Sequence, residues 1–105
     1  MGIFNQLKEA FQGPTEDYAK LFAKGAIIVD VRSKQEFQSG HAKGSKNIPL
    51  NRLSDNLKAL QGKEVILVCR SGARSGQAKS ILDRYGIKTY NAGAWQNVAA
   101  VNQSR

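Results

Sequence analysis

The one cysteine of this chain begins a segment whose residue types suit nucleophilic chemistry. Cys69 follows the apolar run 65–68, and the residues after it are Arg70, Ser71, Gly72, Ala73, Arg74 and Ser75. Small side chains leave the amides of such a turn unobstructed, and Gly72 permits backbone torsions that other residues avoid. Successive N–H groups can therefore point at one centre and form an anion-binding nest, which the dipole of a following helix reinforces.

A thiol at the base of this nest is expected to lose its proton easily. Helix N-termini and nearby arginines bring a cysteine pKa from about 8.5 into the range of roughly 3.5–7.5. The amides would also stabilise the negative sulfur of a persulfide, while Arg70 and Arg74 would add positive charge and hold an incoming oxyanion. A lone cysteine after an apolar strand is more often a small buried hydrophobe. Such a cysteine does not require a glycine, two arginines and otherwise small residues next to it, so we predict a reactive thiolate.

The elements that must position this turn alternate between strand and helix patterns. Apolar runs at 26–29 and 65–68 predict two strands buried on both faces of a parallel sheet, and residues 87–90 are predicted as one more strand. Because Pro49 has no N–H, residues 47–50 can form only a short or edge strand. The alternation predicts an α/β domain with a mostly parallel central sheet flanked by helices. Such sheets bind ligands at the carboxyl ends of their strands, where Cys69 lies.

Apolar residues at helical spacing, with glycines after them, predict the helices. Ser33 and Glu36 form a capping box that starts a short helix ending at Gly40. The other predicted helical faces are Ile3, Phe4, Leu7 and Phe11 before Gly13; Tyr18, Leu21 and Phe22, starting near Pro14 and ending at Gly25; Leu53, Leu57 and Leu60 before Gly62; Ala78, Ile81, Leu82 and Tyr85 before Gly86; and Trp95, Val98 and Val101.

Composition narrows the class of protein further. No apolar run approaches the ~20 residues of a membrane-spanning helix, and the N-terminus carries no leader pattern, so we expect a cytoplasmic location. One cysteine and one histidine exclude an internal disulfide and a structural zinc site. The net charge is +8: residues 1–40 carry five groups of each sign, and the rest eleven basic against three acidic groups. This excess either attracts anions or simply keeps the surface solvated.

The turn after Cys69, together with Asp30-Val31-Arg32 and the stretches 36–41 and 47–50, resembles the rhodanese domain. The resemblance runs from about Pro14 to Trp95 in the family's order. It implies a rhodanese-like three-layer domain over residues 13–105. The N-terminal amphipathic helical extension predicted over residues 1–12 has no counterpart in the minimal domain of this family. The resemblance also implies that Cys69 accepts sulfur, that the backbone of residues 70–75 cradles it, and that Asp30 and Arg32 support the loop. His41 falls in a stretch that is structural in this family.

The activity that this resemblance implies is sulfur transfer by double displacement. A sulfane sulfur from thiosulfate, or from another small anionic donor, would pass through a Cys69 persulfide to cyanide, a small thiol or a protein cysteine. No metal or organic cofactor, nucleic-acid partner or membrane insertion is expected. The oligomeric state is not readable from the sequence.

Three other functions stay open. One is a Cys-based phosphatase or arsenate reductase, although such enzymes place five residues between cysteine and arginine and only four separate Cys69 from Arg74. A second is a persulfide-relay or adaptor module whose cysteine is loaded by one dedicated partner. The third is nucleic-acid binding through the basic charge, which the scattered basic residues and aromatics do not favour.

Overall fold

A computed structural model of the protein describes residues 17–99. Its helices and strands alternate along the chain as the sequence patterns predict. The α-helices and strands are α1 (Tyr18–Ala23), β1 (Ile27–Asp30), α2 (Lys34–Gln38), β2 (Lys46–Asn47), α3 (Leu57–Leu60), β3 (Glu64–Cys69), α4 (Ala73–Arg84) and β4 (Lys88–Ala94), and the 3₁₀ helices are Leu50–Asn56 and Trp95–Val98.

The four strands form one sheet in the order β2-β1-β3-β4, with every neighbouring pair parallel. The two central strands, β1 and β3, are buried along nearly their whole length, which explains why their sequences are continuously apolar. The predicted short strand before Pro49 is β2, which lies at one edge of the sheet. The α/β prediction with a mostly parallel sheet is therefore confirmed.

The core is divided between the two faces of this sheet. Val65 and Leu67 of β3 belong to one buried cluster, whereas Ile66 and Val68 belong to the other, because successive strand residues point to opposite faces. The first cluster includes Leu53, Leu60, Ala78 and Leu82 from the helical segments, and the second includes Tyr18 and Val98. Helical segments cover both faces, so the domain has three layers.

Two predicted helices differ from the structure. The helix expected from Leu53 begins as the 3₁₀ helix Leu50–Asn56 and becomes α-helical only at Leu57. Leu50 and Leu53 are three residues apart, a spacing that aligns side chains in a 3₁₀ helix, and Arg52 N–H donates to Pro49 O at 2.7 Å within it. Tyr85, expected on the apolar face of α4, is 52% exposed because the helix ends at Arg84 and the chain turns there.

The end of the domain also departs from the predictions. The last strand is longer than the expected 87–90, since Lys88–Ala94 pairs with β3 as far as Cys69. The closing helix is one 3₁₀ turn, Trp95–Val98. Val101, the helix expected from Ile3 to Phe11, and the predicted helix start at Pro14 lie outside the described residues. None of the helices between residues 17 and 99 has the length and apolar character needed to cross a membrane.

Candidate active site

The turn between β3 and α4 begins at Cys69, the last residue of its strand. Gly72 is the N-cap of α4 and has a φ of +104°. A Cβ atom at Gly72 would meet only the Gly93 Cα, at 3.6 Å, so glycine is required here by the backbone torsion and not by lack of space. This torsion turns the chain sharply enough for the first turn of α4 to face back towards the cysteine.

Two backbone amides converge on the Cys69 sulfur. Gly72 N–H donates to Sγ with an N–S distance of 2.9 Å, and Ser75 N–H with 3.4 Å. The Ser75 hydroxyl oxygen lies 3.3 Å from the same sulfur. Cys69 is 1% exposed and also packs against the aliphatic core, so the thiol is buried and accepts hydrogen bonds from two backbone amides.

This environment lowers the pKa of the Cys69 thiol from its ordinary value. Burial is the largest single influence and raises the pKa, because it disfavours the charged thiolate. Hydrogen bonds to the sulfur from the Ser75 hydroxyl and from the amides of Ser75, Gly72 and Ser71 act against burial and together outweigh it. The local amides and the Ser75 hydroxyl are therefore the groups that lower the pKa of this thiol.

Asn91 of β4 completes this hydrogen-bond network, a role that no local pattern in the sequence indicates. Its Oδ1 accepts from the Ser75 hydroxyl at 2.7 Å and from Gly93 N–H at 2.9 Å. The β3–β4 pairing shifts register here: Leu67 pairs with Asn91, but Val68 pairs with Gly93. A bulge of this kind re-aims side chains, and only the three-dimensional pairing reveals it.

Arg74 is held by a carboxylate from a distant part of the chain. Its Nη1 and Nη2 donate to the two oxygens of Glu36 at 2.6 and 3.0 Å. This contact, with help from Ser33 N–H, lowers the Glu36 pKa to about 2, and it raises the pKa of Arg74. The capping box predicted for Ser33 and Glu36 is confirmed, but the contact of Glu36 with Arg74 was not predicted. The guanidinium expected to hold an oxyanion is thus engaged by Glu36, whereas Arg70 is exposed.

Asp30 and Arg32 form a buried ion pair beside the loop. Asp30 pairs with Val68 in the sheet register, so it ends β1 next to the end of β3. Arg32 donates through Nε and Nη2 to the Asp30 carboxylate at 2.8–3.1 Å, and Nη2 also donates to Gly40 O at 2.7 Å. The guanidinium lies 5.3 Å from the centre of the Trp95 ring. These contacts join the end of β1 to the segments before β2 and after β4.

The His41 side chain packs against Phe37. Its ring stacks on Phe37 with a centroid separation of 3.7 Å, and its Nδ1 lies 2.6 Å from Phe37 O. Because a carbonyl oxygen can only accept, Nδ1 carries the proton. Within residues 17–99, no cluster of three or more His, Cys, Asp or Glu side chains could hold a metal ion; independence from a cofactor stays a prediction.

A surface depression of about 300 Å³ borders the loop. It is lined by Val31, Ser33, Pro49, Leu50, Asn51 and Arg74. A larger groove of about 730 Å³ runs between α2 and the first 3₁₀ helix, with Pro49 common to both. The smaller depression is the one next to the candidate chemistry, because Arg74 belongs to the cysteine loop.

The protein belongs to a class of α/β domains in which a cysteine at the carboxyl end of a parallel sheet is cradled by backbone amides. Comparison of its sequence with known families identifies the family. A profile of the rhodanese-like domain matches residues 14–101. This chain belongs to the rhodanese-like family, whose relatives include sulfurtransferases.

Known proteins support this assignment along most of the chain. This chain is 33% identical to the thiosulfate sulfurtransferase PspE of Escherichia coli, over 68% of this chain and 72% of that protein. It is 36% identical to the uncharacterized protein YqhL of Bacillus subtilis, matching 73% of this chain but only 63% of YqhL. Among solved structures, a rhodanese with anions from E. coli superposes with a TM-score of 0.65 at 32% identity, covering 71% of this chain and 93% of that one.

Proposed function

We propose that this protein is a sulfurtransferase that carries a sulfane sulfur as a persulfide on Cys69. The observation that supports the proposal most directly is the pair of amides, from Gly72 and Ser75, that point at the sulfur. Amides fixed in this way stabilise negative charge without reorganising during the reaction. They suit a group that stays anionic throughout a catalytic cycle, as a thiolate and then as a persulfide.

The proposed reaction is a double displacement. The Cys69 thiolate attacks the outer sulfur of thiosulfate; a new sulfur–sulfur bond forms, and the old bond breaks with its electron pair leaving on sulfite. An acceptor such as cyanide then attacks the terminal sulfur of the persulfide, thiocyanate leaves, and the Cys69 thiolate is regenerated. No electron is gained or lost overall, since a sulfur atom passes directly between nucleophiles.

Each loop residue has a proposed part in this cycle. The backbone of Arg70, Ser71, Gly72, Ala73, Arg74 and Ser75 forms the cradle for the sulfur that is carried. Asp30 and Arg32 hold the neighbouring strand end in place through their buried pair. We assign Arg70 the role of attracting an anionic donor, because Arg74 already bonds to Glu36.

Intact-mass analysis tests the proposal directly, because Cys69 is the only thiol of the chain. Treatment with thiosulfate should add about 32 Da, one persulfide sulfur, and cyanide should remove it. Cys69→Ser should show no gain and no thiosulfate:cyanide transfer while keeping the wild-type circular dichroism. Full transfer by Cys69→Ser would exclude the assignment.

A persulfide relay is a second candidate, favoured by the 1% exposure of Cys69. A thiol this buried would be loaded by a partner that opens the loop, and not by free thiosulfate. In that case the mass gain should appear with a persulfidated carrier protein and not with thiosulfate. A phosphatase role has weaker support, because the loop arginine that would bind a phosphate is paired with Glu36. Vanadate, a phosphate analogue, should therefore not protect Cys69 from alkylation.

A further inference from the structure

The hydroxyl group of Ser75 faces two competing acceptors. Its oxygen lies 2.7 Å from Asn91 Oδ1 and 3.3 Å from Cys69 Sγ. The orientation of the Asn91 amide is fixed, because Gly93 N–H can only donate and lies 2.9 Å from the atom assigned as Oδ1. A carbonyl oxygen cannot donate, so the short contact with Asn91 uses the single hydroxyl hydrogen of Ser75.

The sulfur therefore faces the lone pairs of Ser75 while this contact is made. A protonated thiol fits that arrangement, since S–H can donate to the Ser75 oxygen in a chain that runs from Cys69 to Ser75 to Asn91. A thiolate or a persulfide anion does not fit it, because two electron-rich atoms then face each other. The hydroxyl must turn its hydrogen from Asn91 to the sulfur when the sulfur becomes anionic.

We propose that Asn91 is a positioning residue that competes with the Cys69 sulfur for the hydroxyl hydrogen of Ser75. By holding this hydrogen, Asn91 weakens the stabilisation that the Ser75 hydroxyl gives to the thiolate, so the thiol is less acidic than it would be with the hydroxyl free. Asn91 releases the hydrogen when negative charge reaches the sulfur, so the hydroxyl donates only to the anionic states. The proposal rests on the proposed function only in taking Cys69 as the reacting group.

The charged groups around the sulfur do not substitute for this hydroxyl. Arg74 of α4 faces Cys69 but bonds to Glu36 of α2, and Asp30 at the end of β1 is paired with Arg32. The part of β4 that reaches the loop, residues 91–94, contains only Asn, Ala and Gly. Asn91 itself is uncharged, so any effect it has on the thiol must pass through hydrogen bonding.

Thiolate absorbance in the ultraviolet, followed against pH, tests the proposal without any sulfur transfer. Asn91→Ala frees the hydroxyl, so at a pH below the thiol midpoint the thiolate fraction should rise about fivefold, the equivalent of one neutral hydrogen bond. Ser75→Ala removes the donor and should lower the fraction. In the double variant Ser75→Ala/Asn91→Ala, the fraction should equal that of Ser75→Ala alone.

Two further variants separate competition from general damage. Asn97→Ala removes a 2.6 Å hydrogen bond to Ala92 O on β4 without touching Ser75, so it should leave the titration unchanged. Asn91→Asp keeps both acceptor contacts but adds a negative charge, so the part of its effect that disappears in Ser75→Ala/Asn91→Asp measures the competition for the hydroxyl even if Asn91→Ala folds poorly. The proposal is overturned if Asn91→Ala leaves the fraction unchanged or lowers it, if its effect persists without the Ser75 hydroxyl, or if Asn97→Ala has the same effect. Loss of sulfur transfer with this titration pattern intact would count against the proposed function alone.

Discussion

The Gly72→Ala variant tests whether the backbone of the loop controls the acidity of Cys69. Gly72 has a φ of +104°, and the nearest atom to an added Cβ would be the Gly93 Cα at 3.6 Å. Gly72→Ala is therefore strained by its torsion and not by a clash. The chain can relieve that strain only by rotating the backbone, which moves the Gly72 N–H away from the sulfur.

Gly72→Ala should have two effects, one on the stability of the fold and one on sulfur transfer, and the size of each can be worked out separately. A sparsely populated torsion costs a non-glycine residue about 1–3 kcal/mol of stability. The Gly72 amide is also the closer of the two donors, at 2.9 Å against 3.4 Å for Ser75. A hydrogen bond to a charged group contributes about 1.5–3 kcal/mol, so losing it from the anionic sulfur should slow sulfur transfer roughly 10- to 150-fold.

Gly25 provides a matched control for the strain. Its φ is +107° and nothing lies within 4 Å of an added Cβ, but it precedes β1, at the end of the sheet away from Cys69. Thermal unfolding should show similar losses of stability in Gly72→Ala and Gly25→Ala. Only Gly72→Ala should raise the thiol pKa in an ultraviolet titration and slow thiosulfate:cyanide transfer. An unchanged thiol pKa in Gly72→Ala, or equal losses of transfer in both variants, would refute the reasoning.

Three further predictions concern the charged groups around the loop. Glu36→Gln leaves Arg74 without its carboxylate, so kcat/KM for thiosulfate should rise relative to a neutral sulfane donor; an unchanged ratio would exclude Arg74 from donor choice. The Glu36 pKa of about 2 lies below the ordinary 4.5, so its stabilisation is complete above pH 4.5 and is lost as the pH falls towards 2. The Tm difference between wild type and Glu36→Gln should shrink over that interval, and a constant difference would contradict the assigned pair. Arg32→Lys loses the two-pronged contact with Asp30 and should lower the free energy of unfolding, measured in denaturant, by about 1–3 kcal/mol. Trp95 fluorescence should shift as well, and an unchanged unfolding midpoint would contradict a stabilising role for this ion pair.

Local patterns in the sequence were enough to predict the cysteine turn and its neighbours. The apolar run before Cys69, the glycine at position 72 and the Ser33–Glu36 capping box each act over a few residues, and each takes the form predicted for it. The parallel sheet follows from the same kind of signal, because continuous apolar runs describe strands buried on both faces. These features need no knowledge of distant contacts.

The parts of the site that were missed depend on contacts between distant residues. Glu36 and Arg74 are 38 residues apart, and nothing near either residue in the sequence indicates the pairing. Asn91 reaches Ser75 because β4 is bulged against β3, a feature of strand register that no single strand reveals. The Asn91-Ala92-Gly93 stretch resembles a loop in composition and becomes a strand only through pairing with β3.

The pairing of the arginines bears on how the site could favour transfer over mere binding. Arg74 is bonded to Glu36 and Arg32 to Asp30, so the negative charge of the sulfur is met mainly by the amides of Gly72 and Ser75. Further unpaired guanidinium groups beside the exposed Arg70 would attract thiosulfate and sulfite alike, and binding substrate, product and transition state equally does not accelerate a reaction. In the proposed reaction, amides aimed at one sulfur atom would act instead where the charge is held after the donor bond breaks. We therefore infer that the internal carboxylates limit anion binding in general, so that the loop is selective for charge on the sulfur it carries.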